Sequence, residues 1–184
     1  MEQKIAMMLV ALLLKGPSHP RALARSLGLN HMTVVRSLRS LVDGNVLDYS
    51  VSGRNKVYRI KRTMEARNAV MMAELYRLDM LVKAHPFLRR IVSRVMDDER
   101  FDLAVLFGSY VKGTASKDSD VDLYVETSDL SLKADLEKLS GHLSVKIGVY
   151  DRTNPLIREI EHDHVIIKGF EAFYGHNRFF KEAP

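Results

Sequence analysis

The chain is expected to be an α+β protein. We divide it into a small helical head closed by a hairpin (residues 1–62), a connecting helix (63–85) and a C-terminal α/β domain with a small mixed sheet (86–184). Three observations predict this. Apolar residues recur at helical spacing near the start and after residue 63, but alternate around residues 46–60 and 101–150. Charge is unevenly spread: residues 1–62 hold eleven Lys/Arg against three Asp/Glu, a net of +8, while the remainder nets −3. Finally, the pair Gly108-Ser109 closes one apolar run, and Asp120-x-Asp122 sits at the start of another.

At 184 residues and 21.0 kDa, with 46% hydrophobic and 28% charged residues, the chain can bury one large core or two small ones. The absence of cysteine excludes disulfides and thiolate metal sites. The apolar run Ile5–Leu14 is too short to cross a bilayer, and no small-residue cleavage site follows Lys15-Gly16-Pro17, so a cytoplasmic protein is expected.

In the head, Ile5, Leu9, Leu12 and Leu13 predict a first helix ending near Lys15, which Gly16-Pro17 stops. Pro20 suits the first position of a second helix through Leu27, and Gly28 can turn the corner after it. Asn30 is a good N-cap for a third helix, 31–43. Val34, Leu38, Leu41 and Val42 make its inward stripe, leaving His31, Met32, Thr33, Arg36 and Arg39 outward. Residues 46–51 and 56–60 read as a hairpin about Ser52-Gly53-Arg54-Asn55.

Three helices and a basic hairpin resemble a winged helix-turn-helix domain of transcription regulators, over essentially residues 4–62. The resemblance implies double-stranded DNA as partner. His31, Met32, Thr33, Arg36 and Arg39 would face the major groove, and Arg54 and Lys56 would reach phosphate or the minor groove. Winged helices also serve as protein adaptors, in which the arginines form a solvated face; the charge of the head favours DNA.

From Met64 to about Ala84 neither Gly nor Pro interrupts a helical composition. Met71, Leu75, Leu78 and Val82 form one apolar stripe and Met72, Tyr76 and Met80 a second, so both must be buried: a homodimer through one of them is expected, the alternative being a central helix sandwiched between the two domains of a monomer. Pro86 is expected to open the next helix, with Phe87, Leu88, Ile91, Val92 and Val95 inward.

The C-terminal domain should begin with a strand over 101–107, a short helix after Ser109, a polar loop 114–119 and a second strand 120–126. A helix over 131–139 and a third strand over 142–150 follow, the latter alternating Val145, Ile147 and Val149 with Ser144, Lys146 and Gly148. A last helix covers 155–161, and Val165–Ile167 is a short apolar run. Tail aromatics Phe170, Phe173, Tyr174, Phe179 and Phe180 are too many to leave in water.

Side chains two apart on a strand share a face, so Asp120 and Asp122 lie about 7 Å apart as a candidate magnesium clamp. Gly108 and Ser109 would offer backbone N–H groups and a hydroxyl to phosphate. Gly108-x4-Gly113 imitates a P-loop, but Thr114 stands where its lysine belongs. An ordinary strand pair with two solvent-facing aspartates would leave the Gly-Ser turn unexplained.

The Gly-Ser-x10-Asp-x-Asp pattern resembles the DNA polymerase β-like nucleotidyltransferase superfamily, nearest its minimal branch, over about residues 86–175. The resemblance implies catalytic and metal-binding roles for Asp120 and Asp122, nucleotide binding at Gly108 and Ser109, and Mg2+ with a nucleoside triphosphate, ATP first. An acceptor hydroxyl would attack the α-phosphate and expel pyrophosphate. Acceptors in this branch include a tyrosine on a HEPN-type toxin, with the transferase as antitoxin. Active members carry a third aspartate on the third strand, where this chain has Lys146. A protonated lysine neither binds magnesium nor acts as base, but can form a salt bridge with the aspartates. Asp151 and Glu126 do not replace the missing carboxylate convincingly. Expectation is therefore divided between a DNA-binding regulator with a nucleotide-binding or vestigial domain and an active nucleotidyltransferase. A solvated loop is expected at His162-x-His164.

Overall fold

The computed structural model describes residues 2–180 and resolves into two compact units. One runs up to Tyr76 and takes in the segment from Arg178; the other is Arg77–Asn177. The division falls inside the long helix after residue 63, so that helix is shared between the units rather than standing as a body of its own.

The first unit contains α1 (Gln3–Lys15), α2 (Pro20–Leu27), α3 (His31–Asp43), β1 (Leu47–Ser52), β2 (Asn55–Ile60) and the first turns of α4 (Met64–Ala84). Local chemistry accounts for its corners. Gly28 closes α2 in the left-handed conformation at φ 62°, where a side chain would be strained. The Asn30 side chain accepts the Met32 N–H at 2.9 Å and caps α3. The hairpin is tighter than the sequence suggested: Ser52 pairs with Asn55, leaving only Gly53 and Arg54 in the turn. Gly53 takes φ 59°, the positive value that two-residue hairpin turns favour. The core collects Met8, Leu9, Leu12, Leu23, Val34, Leu38, Leu41 and Leu47, with Ala66, Ala69 and Ala73 of α4 packed on it.

Val70 of α4 is also buried. Leu75 is 54% exposed, against the expectation that it shares an apolar stripe with the buried Leu78 and Val82.

The second unit holds the rest of α4, α5 (Leu88–Met96), β3 (Leu103–Phe107), α6 (Ser109–Lys112), β4 (Val121–Glu126), α7 (Ser131–Glu137), β5 (Leu143–Gly148), α8 (Pro155–His162), β6 (Val165–Lys168) and α9 (Phe170–His176). Its sheet runs β5-β4-β3-β6 and is mixed: β4 is antiparallel to β3 and parallel to β5, and β6 is antiparallel to β3. Alternation assigns the two faces. Ala104, Leu106, Val121, Leu123, Val125, Leu143 and Val145 join α5 and α7 in one core. The opposite face carries Val105, Phe107, Tyr124 and Ile166, all buried.

Several expectations need correction. Pro86 and Phe87 form a turn instead of opening α5, because the Leu88 N–H closes onto His85 O at 3.0 Å; Phe87 is left 49% exposed. The third strand stops at Gly148, so Val149 is 72% exposed and Tyr150 is buried in its place. Val165–Lys168 is a strand, and a further helix, α9, follows it. His164 is 2% exposed with its Nδ1 2.9 Å from Ile160 O, so it belongs to packing and not to a solvated loop.

Of the tail aromatics, Phe173 and Tyr174 are buried. Phe173 meets Tyr150 edge to face with ring centroids 5.8 Å apart.

Candidate functional site

In the second unit, β3 delivers Phe107 opposite Asp122 of the antiparallel β4, so the chain leaves the sheet at Gly108 beside that carboxylate. Gly108 has φ 74° and ψ −152°, a region open to little but glycine. It also has no room for a side chain: a Cβ there would lie 2.2 Å from Asp122 Oδ2. Both properties require glycine, and the second sets Gly108 directly against the Asp122 carboxylate at the end of the sheet. Ser109 begins α6, and its half-buried hydroxyl has no hydrogen-bond partner among the described residues.

Asp120 and Asp122 do not stand alike. β4 begins at Val121, so Asp120 precedes the strand and is exposed, while Asp122 is half-buried within it. Among the described residues neither carboxylate makes a hydrogen bond or ion pair with another side chain. Burial pushes the Asp122 carboxyl above its ordinary value; nearby Lys146 opposes the shift, and Asp120 and Glu159 add to it.

The parallel β4–β5 register pairs Asp122 with Ser144 and Tyr124 with Lys146. Lys146 therefore lies on the sheet face of Asp122, exposed. The salt bridge that the sequence allowed is not formed, since no ion pair joins Lys146 to either aspartate among the described residues.

Two charged groups at the cleft escaped sequence reasoning. Lys112 of α6 donates to Glu159 of α8 at 2.6 Å, and that hydrogen bond raises the Lys112 pKa. Both contribute to the field at Asp122. They lie 47 residues apart, and no spacing rule announced the pairing.

The alternative third carboxylates are engaged elsewhere. Asp151 accepts from the Thr153 N–H and hydroxyl, and Glu126 lies 2.9 Å from His176 Nε2.

Of three carboxylates at the cleft, Asp120 lies outside the strand and Glu159 is bonded to Lys112, and two ammonium groups stand beside them. Among the described residues no group of three His, Cys, Asp or Glu side chains could hold a metal ion. The residues present do not fit the two-ion site that the resemblance implied.

In the first unit, α3 presents His31, Met32, Arg36 and Arg39 as exposed residues, with Thr33 half-buried; Arg54 and Lys56 are exposed at the hairpin. Among the described residues, Arg36, Arg39 and Arg54 make no hydrogen bond or ion pair. Lys56 lies over the Tyr49 ring, 3.9 Å from its centroid. Between α3 and the hairpin runs an open groove of about 880 Å³, lined by Arg21, His31, Arg39, Arg54 and Lys56 among others.

The family described as Polymerase beta, Nucleotidyltransferase matches the chain over residues 89–169. That segment spans less than half of the chain and contains every cleft residue described above. The second unit thus carries a nucleotidyltransferase-like domain, and its mixed α+β architecture agrees. No curated protein matches the chain. No helix among the described residues is long and apolar enough to cross a membrane.

Proposed function

We propose that the chain is a DNA-binding regulator whose first unit is a winged helix-turn-helix and whose nucleotidyltransferase-like unit holds the phosphates of a nucleotide, ATP first, without efficient transfer. The observation that carries the DNA reading is the set Arg36, Arg39 and Arg54, exposed on α3 and the hairpin turn with no partner among the described residues. Exposed arginines on the third helix and hairpin of a net-basic unit suit phosphate and base edges. The exposed Met72 and Leu75 of α4 support a homodimer, which a palindromic site would require.

Fluorescence anisotropy with genomic fragments tests the reading. Binding should weaken steeply between about 50 and about 200 mM salt, and each arginine removed should lower the log–log salt slope by about 0.9. Binding indifferent to salt and to these arginines would contradict it.

A second reading rests on the approach of Gly108 to Asp122. In it the cleft transfers a nucleoside monophosphate to a hydroxyl, for example on a HEPN-type protein partner, with the chain as antitoxin. Labelled ATP with magnesium and candidate acceptors decides it: the first reading expects weak or no transfer, and robust transfer lost in Asp120→Ala would establish the second.

A further inference from the structure

The cleft of the second unit contains three carboxylates, Asp120, Asp122 and Glu159, and two ammonium groups, Lys112 and Lys146. Lys112 is held by Glu159 at 2.6 Å. Lys146 has no such bond among the described residues and is the larger cationic influence on Asp122. It stands on the doublet's face of β5, displaced two residues along the strand from Ser144, the register partner of Asp122. Its stem is long enough to bring the ammonium toward the carboxylates or toward a ligand lying on them.

Asp122 is half-buried, without a donor among the described side chains, and lies against the backbone of Gly108. A carboxylate so placed needs a positive charge nearby, and a lysine supplies one covalently.

We propose that Lys146 is the built-in cation of this cleft, placed on the sheet face of Asp122 where its ammonium repels a divalent metal. The Asp120–Asp122 pair then has little affinity for divalent cations, and replacing the lysine by a carboxylate creates a metal site. The inference rests on the reading of this cleft as a phosphate-binding site. Charge repulsion sets the direction: a divalent ion approaching Asp122 meets the Lys146 ammonium, and a carboxylate at that position would instead complete a set of three oxygen donors. Burial of Asp122 and the opposing influence of Lys146 on its ionisation accord with this arrangement.

The test is titration of the full chain with Mn2+ alone, without nucleotide or DNA, read by water-proton relaxation and by thermal shift. Wild type should show no saturable binding in the low millimolar range. Lys146→Asp should bind with an affinity higher by on the order of tenfold or more. Lys146→Met, which removes the charge without adding a ligand, should fall between them, and Asp122→Asn in the Lys146→Asp background should abolish the gain. Saturable binding by wild type that Asp122→Asn removes would overturn the proposal. So would equal, weak binding by all three proteins with circular dichroism showing each folded. Because no nucleotide enters the titration, failure here is distinguishable from failure of the phosphate-binding reading, which a separate ATP titration of wild type in EDTA reports.

Discussion

The α3–hairpin surface of the first unit and the cleft of the second dispose of their cations in opposite ways. In the first, Arg36, Arg39 and Arg54 stand exposed and unpaired among the described residues, on a stretch carrying a net +8 over residues 1–62. In the second, Lys112 is bonded to Glu159, and Lys146 shares a sheet face with Asp122. A surface charge array suits a long polyanion, whose many phosphates tolerate small displacements but respond to salt. A compensated cleft shaped by a glycine suits a compact ligand, whose binding depends on position. Shape should therefore dominate mutational effects in the second unit, and charge in the first.

The largest effect should follow from Gly108→Ala. A side chain there is strained in its backbone region and meets Asp122 Oδ2 at 2.2 Å. The expected loss is about 1–3 kcal/mol from the backbone alone, together with nucleotide binding. Gly169→Ala sharpens the point: its Cβ would lie 2.3 Å from Asp102 O, a backbone atom outside the cleft. Urea denaturation should show comparable destabilisation of both variants. Nucleotide affinity, measured where each is still folded, should fall only for the first.

Next comes the double variant Arg36→Ala/Arg39→Ala. Stability should stay within about 0.5 kcal/mol, because neither side chain has a partner among the described residues. DNA affinity should drop by about tenfold or more at low salt, and the salt slope by about two. A large loss of stability would break the contrast between the units.

A smaller effect of opposite sign is expected from Asp122→Asn. The folded carboxyl has a pKa above its ordinary 3.8, chiefly through burial, so ionisation is harder in the folded than in the unfolded chain. The ionised group therefore destabilises the fold at neutral pH. That cost is relieved as pH falls through the raised folded pKa, and it is gone below the unfolded value. The asparagine variant should melt higher at pH 7, and its advantage should vanish toward pH 3.8 and below. Thermal melts across that range check both the gain and its disappearance.

Glu159→Gln should do least. The ion pair it breaks is largely exposed, so stability should change by less than about 0.5 kcal/mol. Freeing Lys112 should tighten nucleotide binding by a factor of about two, readable by calorimetry.

Local signals made much of this legible in the sequence. Pro20 and Gly28 bracket α2, Asn30 caps α3, and both helices occupy the ranges those residues predict. The Gly108 turn was readable because glycine's backbone freedom acts over a few residues; strand alternation placed Asp122 but not Asp120, which precedes the strand. What escaped depends on distant packing. Val165–Lys168 becomes an edge strand only because β3 is there to receive it. Glu159 enters the cleft only because α8 reaches Lys112 across 47 residues. Phe87 turns outward because a hydrogen bond to His85 delays α5, a detail the apolar pattern does not encode.

Crossed binding by one purified preparation tests the division of labour most directly. Anisotropy of labelled DNA and calorimetry with ATP would be run on wild type, Arg36→Ala/Arg39→Ala and Ser109→Ala. The account expects the arginine variant to lose DNA while keeping ATP, and Ser109→Ala to lose ATP while keeping DNA. Both ligands lost together in either variant, or neither lost in both, would contradict it.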